Sequence, residues 1–300
     1  MAPKAEIIIA IMGATGVGKS KMIDNLTENT KWSGTSLLSV TQKIKSTKCM
    51  IQGTEVTLVD TPGFDDTNKS DLETLHAISE WLESKYRKDV CLTGLLYLHR
   101  ITDNRMAGTP YRNLKMFGKL CGGEEEVGRK VVFVSTMWDK IASEKGRARE
   151  KELKQYWQAM INLGAKTAQS RGTKADSEKI IFDLLKSQEA QPANRPVLIQ
   201  DELVGLNRSL VETEAAQTLY TDFQRLLKQH KQTLADLESA ARDAQNPAKA
   251  QELQKQREVI EGQLQHTFDE ARKLKLGWAK RFMRLFQKKA KGTGLELGGA

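Results

Sequence analysis

Short apolar runs alternate with longer amphipathic segments through the first two thirds of the chain. The apolar runs have the length and composition of strands buried on both faces, and they are Ile7–Met12, Glu55–Asp60, Gly94–Leu98 and Val131–Ser135. The amphipathic segments have helical periodicity, and they are Lys19–Thr27, Asp71–Lys85, Pro110–Leu120 and Arg147–Leu163. Strands that alternate with helices predict an α/β fold with a doubly wound, mostly parallel sheet.

One edge of this sheet is predicted to be antiparallel. The segments Lys43–Ile51 and Thr54–Asp60 are joined only by Gln52 and Gly53. A glycine at the second turn position supplies the positive φ that a two-residue hairpin requires. A short last strand is predicted at Ala165–Gln169, and a helix from about 175 to 188 follows it.

Strand-like runs disappear beyond the prolines at positions 192 and 196. From 203 to 291 the chain is rich in Gln, Glu, Lys, Leu and Ala, and its apolar residues recur every three or four positions. This pattern predicts an antiparallel helical hairpin that turns near residues 244–248 and carries a coiled-coil-like seam. Two amphipathic helices packed on the first domain are the alternative. We predict an α/β domain at 1–192, a helical extension at 193–292 and a disordered tail at 293–300.

The net charge of +9 is concentrated near the C-terminus. Nine Lys and Arg residues and no acidic residue lie between Ala271 and Gly292, so the rest of the chain is close to neutral. Trp278, Phe282 and their apolar neighbours fall on one face, which predicts a basic amphipathic helix that binds an anionic membrane surface or the groove of a partner protein. Packing of that face on the protein's own first domain is the alternative. Nucleic acid is a weaker candidate partner, because no recognition fold is evident.

The cysteines and the apolar content set further limits. Cys49, Cys91 and Cys121 have no ligand or disulfide spacing, which argues against a disulfide framework or a zinc site and favours a reducing compartment. No run of about 18 apolar residues occurs, so no membrane-spanning helix is predicted. We expect a cytoplasmic location, with peripheral membrane contact if the basic helix binds lipid.

The first predicted strand runs directly into the sequence Gly13-Ala14-Thr15-Gly16-Val17-Gly18-Lys19-Ser20. This is the pattern Gly-x4-Gly-Lys-Ser/Thr, and it stands between a strand and a helix, as a phosphate-binding loop requires. The glycines let successive N–H groups face a β-phosphate, and the helix N-terminus adds partial positive charge. Lys19 is predicted to contact the β- and γ-phosphates, and the Ser20 hydroxyl to ligate Mg²⁺.

A second motif, Asp60-Thr61-Pro62-Gly63, ends a predicted strand at the edge of the sheet where α/β proteins bind ligands. We predict that Asp60 holds the Mg²⁺ shell and that the Gly63 N–H contacts a γ-phosphate, a contact that hydrolysis would release. A hydroxyl between the two motifs should also reach Mg²⁺. We favour Thr41, with Thr35 as the second candidate, in the hydroxyl-rich segment Ser33–Thr41.

The strand Val131–Ser135 leads into a candidate motif for base recognition. Thr136-Met137-Trp138-Asp139 stands where P-loop GTPases carry Asn/Thr-Lys-x-Asp. Asp139 is placed to accept hydrogen bonds from guanine N1–H and N2–H₂, and a helix N-cap is its alternative role. Met137 replaces the usual Lys and is expected to touch the face of the base. The predicted nucleotide-binding residues are Gly13, Ala14, Thr15, Gly16, Val17, Gly18, Lys19, Ser20, Lys21 and Asp139.

On these residues the chain resembles the septin/Toc/immunity-associated branch of the TRAFAC GTPases, and most of all fungal G-domain proteins similar to the immunity-associated (GIMAP/IAN, AIG-type) GTPases. The resemblance spans about residues 5–190 and rests on Gly13–Ser20, Ser39–Thr41, Asp60–Asp66, Tyr97–Arg105 and Thr136–Asp139. It implies binding of GTP and GDP with Mg²⁺, Thr41 as the switch threonine, and nucleotide-controlled homodimerisation through the G-domain face. It also makes Arg171–Thr173 a candidate second base loop.

The expected rate of hydrolysis follows from the residue after Gly63. Many GTPases carry a Gln there that orients the attacking water, whereas Phe64 cannot hydrogen-bond to water. We therefore expect slow GTP hydrolysis, and the predicted catalytic residues are Lys19, Thr41, Gly63 and Arg100. In a dimer Arg100 could stabilise transition-state charge in trans, or it could serve with Arg105 only in interface salt bridges. His99 is interpreted as a structural hydrogen-bonding residue.

Three functions are open from the sequence. The first is a switch or assembly regulator in which GTP-dependent dimerisation is coupled to slow hydrolysis. The second is a scaffold or interaction protein whose helical part does the work while bound nucleotide turns over little. The third is an ATPase, because Met137 replaces the lysine that normally braces the base loop.

Overall fold

The computed structural model describes residues 6–27, 44–65, 71–104, 108–188, 195–218 and 251–262, with Met106 and isolated positions between 221 and 239. The chain divides into two compact units, Met1–Ala215 and Ala216–Ala300. The second unit contains a helix over 251–262. The predicted turn at 244–248, the basic segment 271–292, the tail 293–300 and most of the predicted seam lie outside the described residues.

A six-stranded sheet forms the centre of the first unit. Its strands are β1 (Ile8–Gly13), β2 (Lys45–Ile51), β3 (Thr54–Asp60), β4 (Gly94–Arg100), β5 (Val131–Thr136) and β6 (Lys166–Gln169). Their order is β2-β3-β1-β4-β5-β6, and every neighbouring pair is parallel except β2 and β3. The predicted fold class, a doubly wound and mostly parallel sheet with one antiparallel edge hairpin, is confirmed. The order reverses at β1, so a crevice opens at the carboxyl ends of the central strands.

Helices cover both faces of the sheet. They are α1 (Lys19–Thr27), α2 (Asp71–Tyr86), α3 (Thr109–Cys121), α4 (Glu125–Gly128), α5 (Ser143–Asn162), α6 (Lys174–Gln188) and the single turn α7 (Leu198–Gln200). On one face, aliphatic side chains of β1, β4 and β5 form a core with α1 and α6. On the other face, Tyr97 and Phe133 pack with Phe117 of α3 and Trp157 of α5. Burial on both faces explains why the strands are nearly continuous apolar runs.

The β2–β3 hairpin turns at the two residues predicted for it. Gln52 has a φ of 46° and Gly53 a φ of 82°. Positive φ at both central residues is the pattern of a type I′ turn, whose twist fits the twist of the paired strands. The register pairs Ile51 with Thr54. The described part of β2 begins at Lys45, and Lys43, where this strand was predicted to start, lies outside the described residues.

The start of α5 differs from the prediction, because the helix begins at Ser143 rather than Arg147. Gly146 lowers the helix propensity of the first turn. The sequence pattern therefore did not show that the helix begins before Arg147. In the structure the ring of Trp138 packs on this glycine, and a Cβ at Gly146 would lie 2.7 Å from Trp138 Cζ3. The glycine therefore permits the close approach of the chain that precedes the helix.

The first compact unit runs on to Ala215, beyond the boundary at 192 that the sequence suggested. The added elements are α7, the π-helical turn Asp201–Gly205 and the 3₁₀ turn Leu210–Glu212. Of these, α7 packs against α2 and α3, and the π-helical turn packs against α2. Gln200 Nε2 donates to the carbonyl oxygen of Leu82 across 3.2 Å, and Lys130 Nζ donates to that of Arg195 across 2.7 Å. These contacts join segments distant in sequence, so local composition did not indicate them.

Among the described helices, none has both the length and the apolar character needed to cross a bilayer. Cys49, Cys91 and Cys121 are free thiols inside the first unit. Burial raises the pKa of Cys49 to about 11 and also raises the pKa of Cys91 and Cys121. All three therefore stay protonated at neutral pH and are poor nucleophiles.

Candidate functional site

The loop between β1 and α1 has the backbone shape of a phosphate cradle. Gly13, Gly16 and Gly18 have φ values of 140°, 77° and 99°, which L side chains rarely adopt. A Cβ on Gly13 would lie 2.4 Å from the carbonyl oxygen of Leu98, so the loop turns closely against β4. The chain then enters α1 at Lys19, and the helix N-terminus faces the site.

Lys19 is buried beneath this loop, with 6% of its surface exposed. Its Nζ donates to the carbonyl oxygens of Gly13 across 3.1 Å and of Ala14 across 2.9 Å. A buried ammonium group needs such acceptors to offset the loss of water. The loop therefore holds one positive charge at the place where the motif predicts the phosphates.

Ser20 and Asp60 meet at the end of β3. The Ser20 hydroxyl donates to Asp60 Oδ2 across 2.8 Å, and Asp60 is fully buried. A hydroxyl and a carboxylate oxygen this close are hard ligands of the kind that Mg²⁺ takes. The two residues therefore fit the role of magnesium ligands. The predicted third ligand, Thr41, and the alternative Thr35 lie outside the described residues.

The chain after β3 pairs with the phosphate loop. Thr15 N donates to Phe64 O across 2.7 Å, and Phe64 N donates to Gly13 O across 3.2 Å. A Cβ on Gly63 would lie 2.8 Å from Thr15 Cα, so only glycine allows this approach. The Phe64 side chain is fully buried. Gly63 thus lies beside the loop, and the residue after it offers the site no polar side-chain atom.

An open cleft with a volume of about 280 Å³ adjoins the phosphate loop. Predicted site residues that line it are Val17, Gly18, Lys21, Met137, Asp139, Arg171 and Gly172. Thr136 joins this cleft to the loop, because its Oγ1 donates to Val17 O across 2.9 Å and has His99 O as a second acceptor at 3.3 Å. The phosphate loop and the candidate base site are therefore one continuous surface.

Replacing Thr136 by valine should lower stability by about 1–3 kcal/mol and weaken GDP binding, because a buried carbonyl loses its donor without a change in side-chain shape. Urea unfolding and titration with a fluorescent GDP would measure the two effects. Thr167→Val on the edge strand β6 is the matched control. If Thr136→Val behaves like that control, the hydroxyl does not join the loop to the cleft.

Asp139 lies in a 3₁₀ turn, Trp138–Lys140, that follows β5 directly. Met137 before it has a left-handed φ of 63°, and its Sδ accepts a hydrogen bond from Thr102 Oγ1 across 3.8 Å. Trp138 Nε1 donates to Ser135 Oγ across 2.8 Å, which fixes the turn on β5. The N-cap position of α5 is Ala142, so Asp139 does not cap that helix. Its exposed carboxylate faces the cleft instead.

A loop after β6 closes the far side of the cleft. Ser170 N donates to Ser135 O across 2.8 Å, and Asn25 Nδ2 donates to Gly172 O across 2.8 Å. Arg171 and Gly172 of the predicted second base loop line the cleft, and so does Ser170, which the sequence analysis did not select. No motif marks Ser170. Its position after the last strand is the feature that could have identified it.

β4 ends at His99 and Arg100, next to the phosphate loop of the same chain. A Cβ built on Gly16 would lie 3.5 Å from Arg100 Nη1. Arg100 Nε donates to Asp103 Oδ2 across 3.2 Å and lies 2.9 Å from Oδ1, and His99 Nε2 lies 4.0 Å from Asp103 Oδ2. Arg100 thus stands at its own phosphate site, and Arg105, the other candidate, lies outside the described residues.

Burial lowers the pKa of His99 below its ordinary value of 6.5, although Asp103 acts in the opposite direction. The unfolded chain therefore binds a proton that the folded protein does not, and stability should fall as the pH drops below about 6.5. His99→Gln should reduce this loss, whose slope is at most about 1.4 kcal/mol per pH unit for one proton. Urea unfolding between about pH 5 and pH 8 tests this, with His76→Gln on α2 as the control. Identical pH profiles for wild type and His99→Gln would contradict it.

Comparison with protein families matches residues 8–109 to the family described as 50S ribosome-binding GTPase. Comparison with curated protein sequences gives no match. Among solved structures, a dimerization-deficient mutant of Toc33 from Arabidopsis thaliana has a TM-score of 0.51 and 14% identity over 64% of this chain and 88% of that one. Toc33 in complex with GDP and Mg²⁺ has a TM-score of 0.50 and 15% identity over 65% of this chain and 88% of that one. A third structure, of the chloroplast translocon components atToc33 and psToc159, has a TM-score of 0.51 and 15% identity, covering 62% and 84%.

The matched family region contains the phosphate loop, the segment Asp60–Gly63 and the end of β4. At these sequence identities the solved structures support similarity of the fold alone, and that similarity agrees with the six-stranded sheet described above. The narrower resemblance to fungal immunity-associated proteins stays a prediction. Residues 8–109 of the first unit are thus similar to this GTPase family, and the unit has a fold like that of Toc33.

Proposed function

We propose that the protein binds GTP and GDP with Mg²⁺ and hydrolyses GTP slowly. The observation that carries this proposal is the alignment of three features along one sheet edge: the buried Lys19 ammonium, the Ser20–Asp60 pair and the cleft with Asp139. Together they would contact the β- and γ-phosphates, the Mg²⁺ bound to those phosphates and the base of one nucleoside triphosphate. The experiment that tests the proposal is identification of nucleotide released from the purified, denatured protein, followed by titration of GDP and a nonhydrolysable GTP analogue. Failure of both ligands to bind would overturn it.

Each feature has a defined chemical task. The loop amides and Lys19 bind the β- and γ-phosphates, and Ser20 and Asp60 hold Mg²⁺. When bound, Mg²⁺ neutralises charge on the phosphate oxygens. The Asp139 carboxylate can accept from both N1–H and N2–H₂ of guanine, whereas adenine has no hydrogen on N1 and no 2-amino group. This asymmetry favours GTP over ATP, although Met137 stands in the place of lysine.

Slow turnover is proposed from the surroundings of Phe64. In hydrolysis a water attacks the γ-phosphorus while the bond to the β–γ bridging oxygen breaks. The Phe64 ring is buried and has no group that could orient this water. We therefore expect an unstimulated rate on the order of 10⁻⁴ to 10⁻² s⁻¹, as for GTPases that lack a complete catalytic set.

We further propose that the protein is a switch or assembly regulator that dimerises through its G domain, and that Arg100 raises the rate. Dimerization is important for the GTPase activity of the translocon components atToc33 and psToc159, and this chain is proposed to share that dependence. Arg100 lies at its own phosphate loop and is paired with Asp103. Within a dimer it could act there in cis or turn to the partner's site in trans.

Arg100→Ala should lower GTP turnover by about 10³-fold or more if the guanidinium stabilises the transition state. The dependence of this loss of turnover on protein concentration distinguishes an arginine that acts in trans from one that acts in cis. A trans arginine gives a loss only where the wild type dimerises, whereas a cis arginine gives a loss at every concentration. Phosphate release measured over a protein dilution series tests this. Unchanged turnover in Arg100→Ala would exclude a catalytic role for the residue.

A nucleotide-bound scaffold with little turnover is the second candidate, and the pairing of Phe64 with the phosphate loop favours it. Phosphate release under single-turnover conditions separates it from the switch.

Membrane association through the basic segment 271–292 is a separate proposal for a cytoplasmic protein. Co-sedimentation of the full chain with anionic vesicles tests it, and equal sedimentation with neutral vesicles would exclude charge-driven binding.

A further inference from the structure

An arginine of α5 holds the loop that follows Arg100 by hydrogen bonds. Arg149 Nη1 donates to the carbonyl oxygens of Ile101 across 3.0 Å and Thr102 across 2.8 Å, and Nη2 donates to Asn104 Oδ1. We infer that Arg149 is a positioning residue of the GTPase site, which fixes this loop and thereby holds Arg100 at the phosphate loop. The inference rests on the proposed GTP hydrolysis and on the role of Arg100 in it.

The geometry explains why the residue is an arginine. One guanidinium reaches three acceptors on the same short loop from two of its nitrogens. The guanidinium is planar and always charged, and its donors form a fixed fork. Its hydrogen bonds are therefore charge-assisted and stronger than neutral ones. A lysine at this position would keep the charge but has one nitrogen, so it could not hold all three acceptors in the same arrangement.

The other side of the loop rests on the base-recognition motif. Ile101 is fully buried, and its N–H donates to Thr136 O across 3.0 Å. Thr102 Oγ1 donates to Met137 Sδ across 3.8 Å. Arg149 approaches from α5, the helix that begins just after that motif. The loop is thus held between the end of β5 and α5.

Arg100 depends on this loop through Asp103. Asp103 N donates to Arg100 O across 3.2 Å, and the Asp103 carboxylate accepts from Arg100 Nε. Asp103 lies between Thr102 and Asn104, two of the residues that Arg149 holds. A shift of the loop would therefore move the carboxylate that orients the Arg100 guanidinium. Arg149 has no hydrogen bond to the phosphate loop or to Asp139 among the described residues, so its loss should change nucleotide affinity much less than turnover.

The test compares Arg149→Ala, Arg100→Ala and the double variant in single-turnover GTP hydrolysis by the full chain. We expect Arg149→Ala to slow turnover by on the order of 10- to 100-fold, because a small misplacement of a catalytic group has this effect. The double variant should be no slower than Arg100→Ala, and GDP affinity should stay within about twofold of wild type. Arg147→Ala, on the exposed face of α5, is the matched control and should be unchanged.

Hydrogen exchange gives a readout that does not depend on activity. Amides of residues 101–104 should exchange faster in Arg149→Ala than in wild type or Arg147→Ala, while amides of β4 and β5 should not change. Arg149→Lys should have an intermediate effect, and it serves as the test variant if the alanine variant does not fold. Unchanged exchange, unchanged turnover or a loss additive with Arg100→Ala would each overturn the inference. A wild type without GTP hydrolysis would instead overturn the proposed function, and exchange would still decide whether Arg149 holds the loop.

Discussion

Lys19→Met is expected to weaken binding of GDP and of a nonhydrolysable GTP analogue by about 100-fold or more. Lys19 is 6% exposed, and its ammonium group is held beneath the phosphate loop by the carbonyl oxygens of Gly13 and Ala14. A polyphosphate in the loop would therefore meet a charge that is already in place. Loss of one partner from a buried charge pair costs about 3–5 kcal/mol, and each 1.4 kcal/mol is about tenfold in affinity.

Methionine keeps most of the length of the lysine side chain and removes only its charge and donors. Calorimetric titration would measure the affinities, and urea unfolding would show whether the variant keeps its fold after losing two hydrogen bonds. Lys151→Met, on the exposed surface of α5, is the matched control and should bind like wild type. Equal ligand uptake by Lys19→Met and wild type would remove the role given to Lys19 and the assignment of the phosphates to this loop.

The sheet could be predicted because the residues within each strand are enough to identify it as a strand. Residues of β1, β4 and β5 are buried on both faces, so each strand is apolar throughout and stands out from the amphipathic helices. The β2–β3 turn was equally local, since Gly53 in a two-residue connection specifies a hairpin. Both features can therefore be recognised within a short segment of the sequence, although the helices that bury the strands lie elsewhere in the chain.

Residues 195–215 could not be assigned to the first unit from the sequence, because their partners are distant in the chain. Gln200 bonds to Leu82, and Arg195 accepts from Lys130. The segment Gln191–Pro196, where residues 195–215 begin, has two prolines and few apolar residues, which is typical of a linker. Residues 195–215 are held by buried apolar side chains such as Val197 and Ile199 and by a few polar contacts, and which element these residues contact cannot be inferred from the local sequence.

Some residues of the candidate site could be predicted from short motifs, and others could not. Lys19, Asp60 and Asp139 belong to short motifs, because one loop or turn must present several groups to one ligand. Ser170 and Arg149 belong to no motif, yet one lines the cleft and the other holds the loop beside it. Such supporting residues are placed by the sheet order and by helix packing, so a search for motifs cannot find them.

Asp139→Asn is expected to change the preferred base from guanine to xanthine. The carboxylate faces the cleft next to Arg171 and Gly172, where it can accept from guanine N1–H and N2–H₂. An asparagine amide has one acceptor and one donor, so its NH₂ would point at the guanine amino group. Xanthine carries a carbonyl oxygen at that position and accepts this donor. A site that loses a paired hydrogen bond and gains an unpaired polar group discriminates by a factor of about 100 or more.

Competition among GDP, xanthosine diphosphate and ADP for the wild type and Asp139→Asn would measure this change. GDP affinity should fall by about 100-fold and affinity for xanthosine diphosphate should rise by a similar factor, while ADP binding should stay weak in both proteins. Asp183→Asn makes the same chemical change on the exposed side of α6, away from the cleft, and should not alter base preference. A wild type that binds ADP as tightly as GDP would favour the ATPase, because Asp139 would then have no part in choosing the base. An Asp139→Asn variant that keeps its GDP affinity would place the base outside the cleft between Thr136 and Ser170.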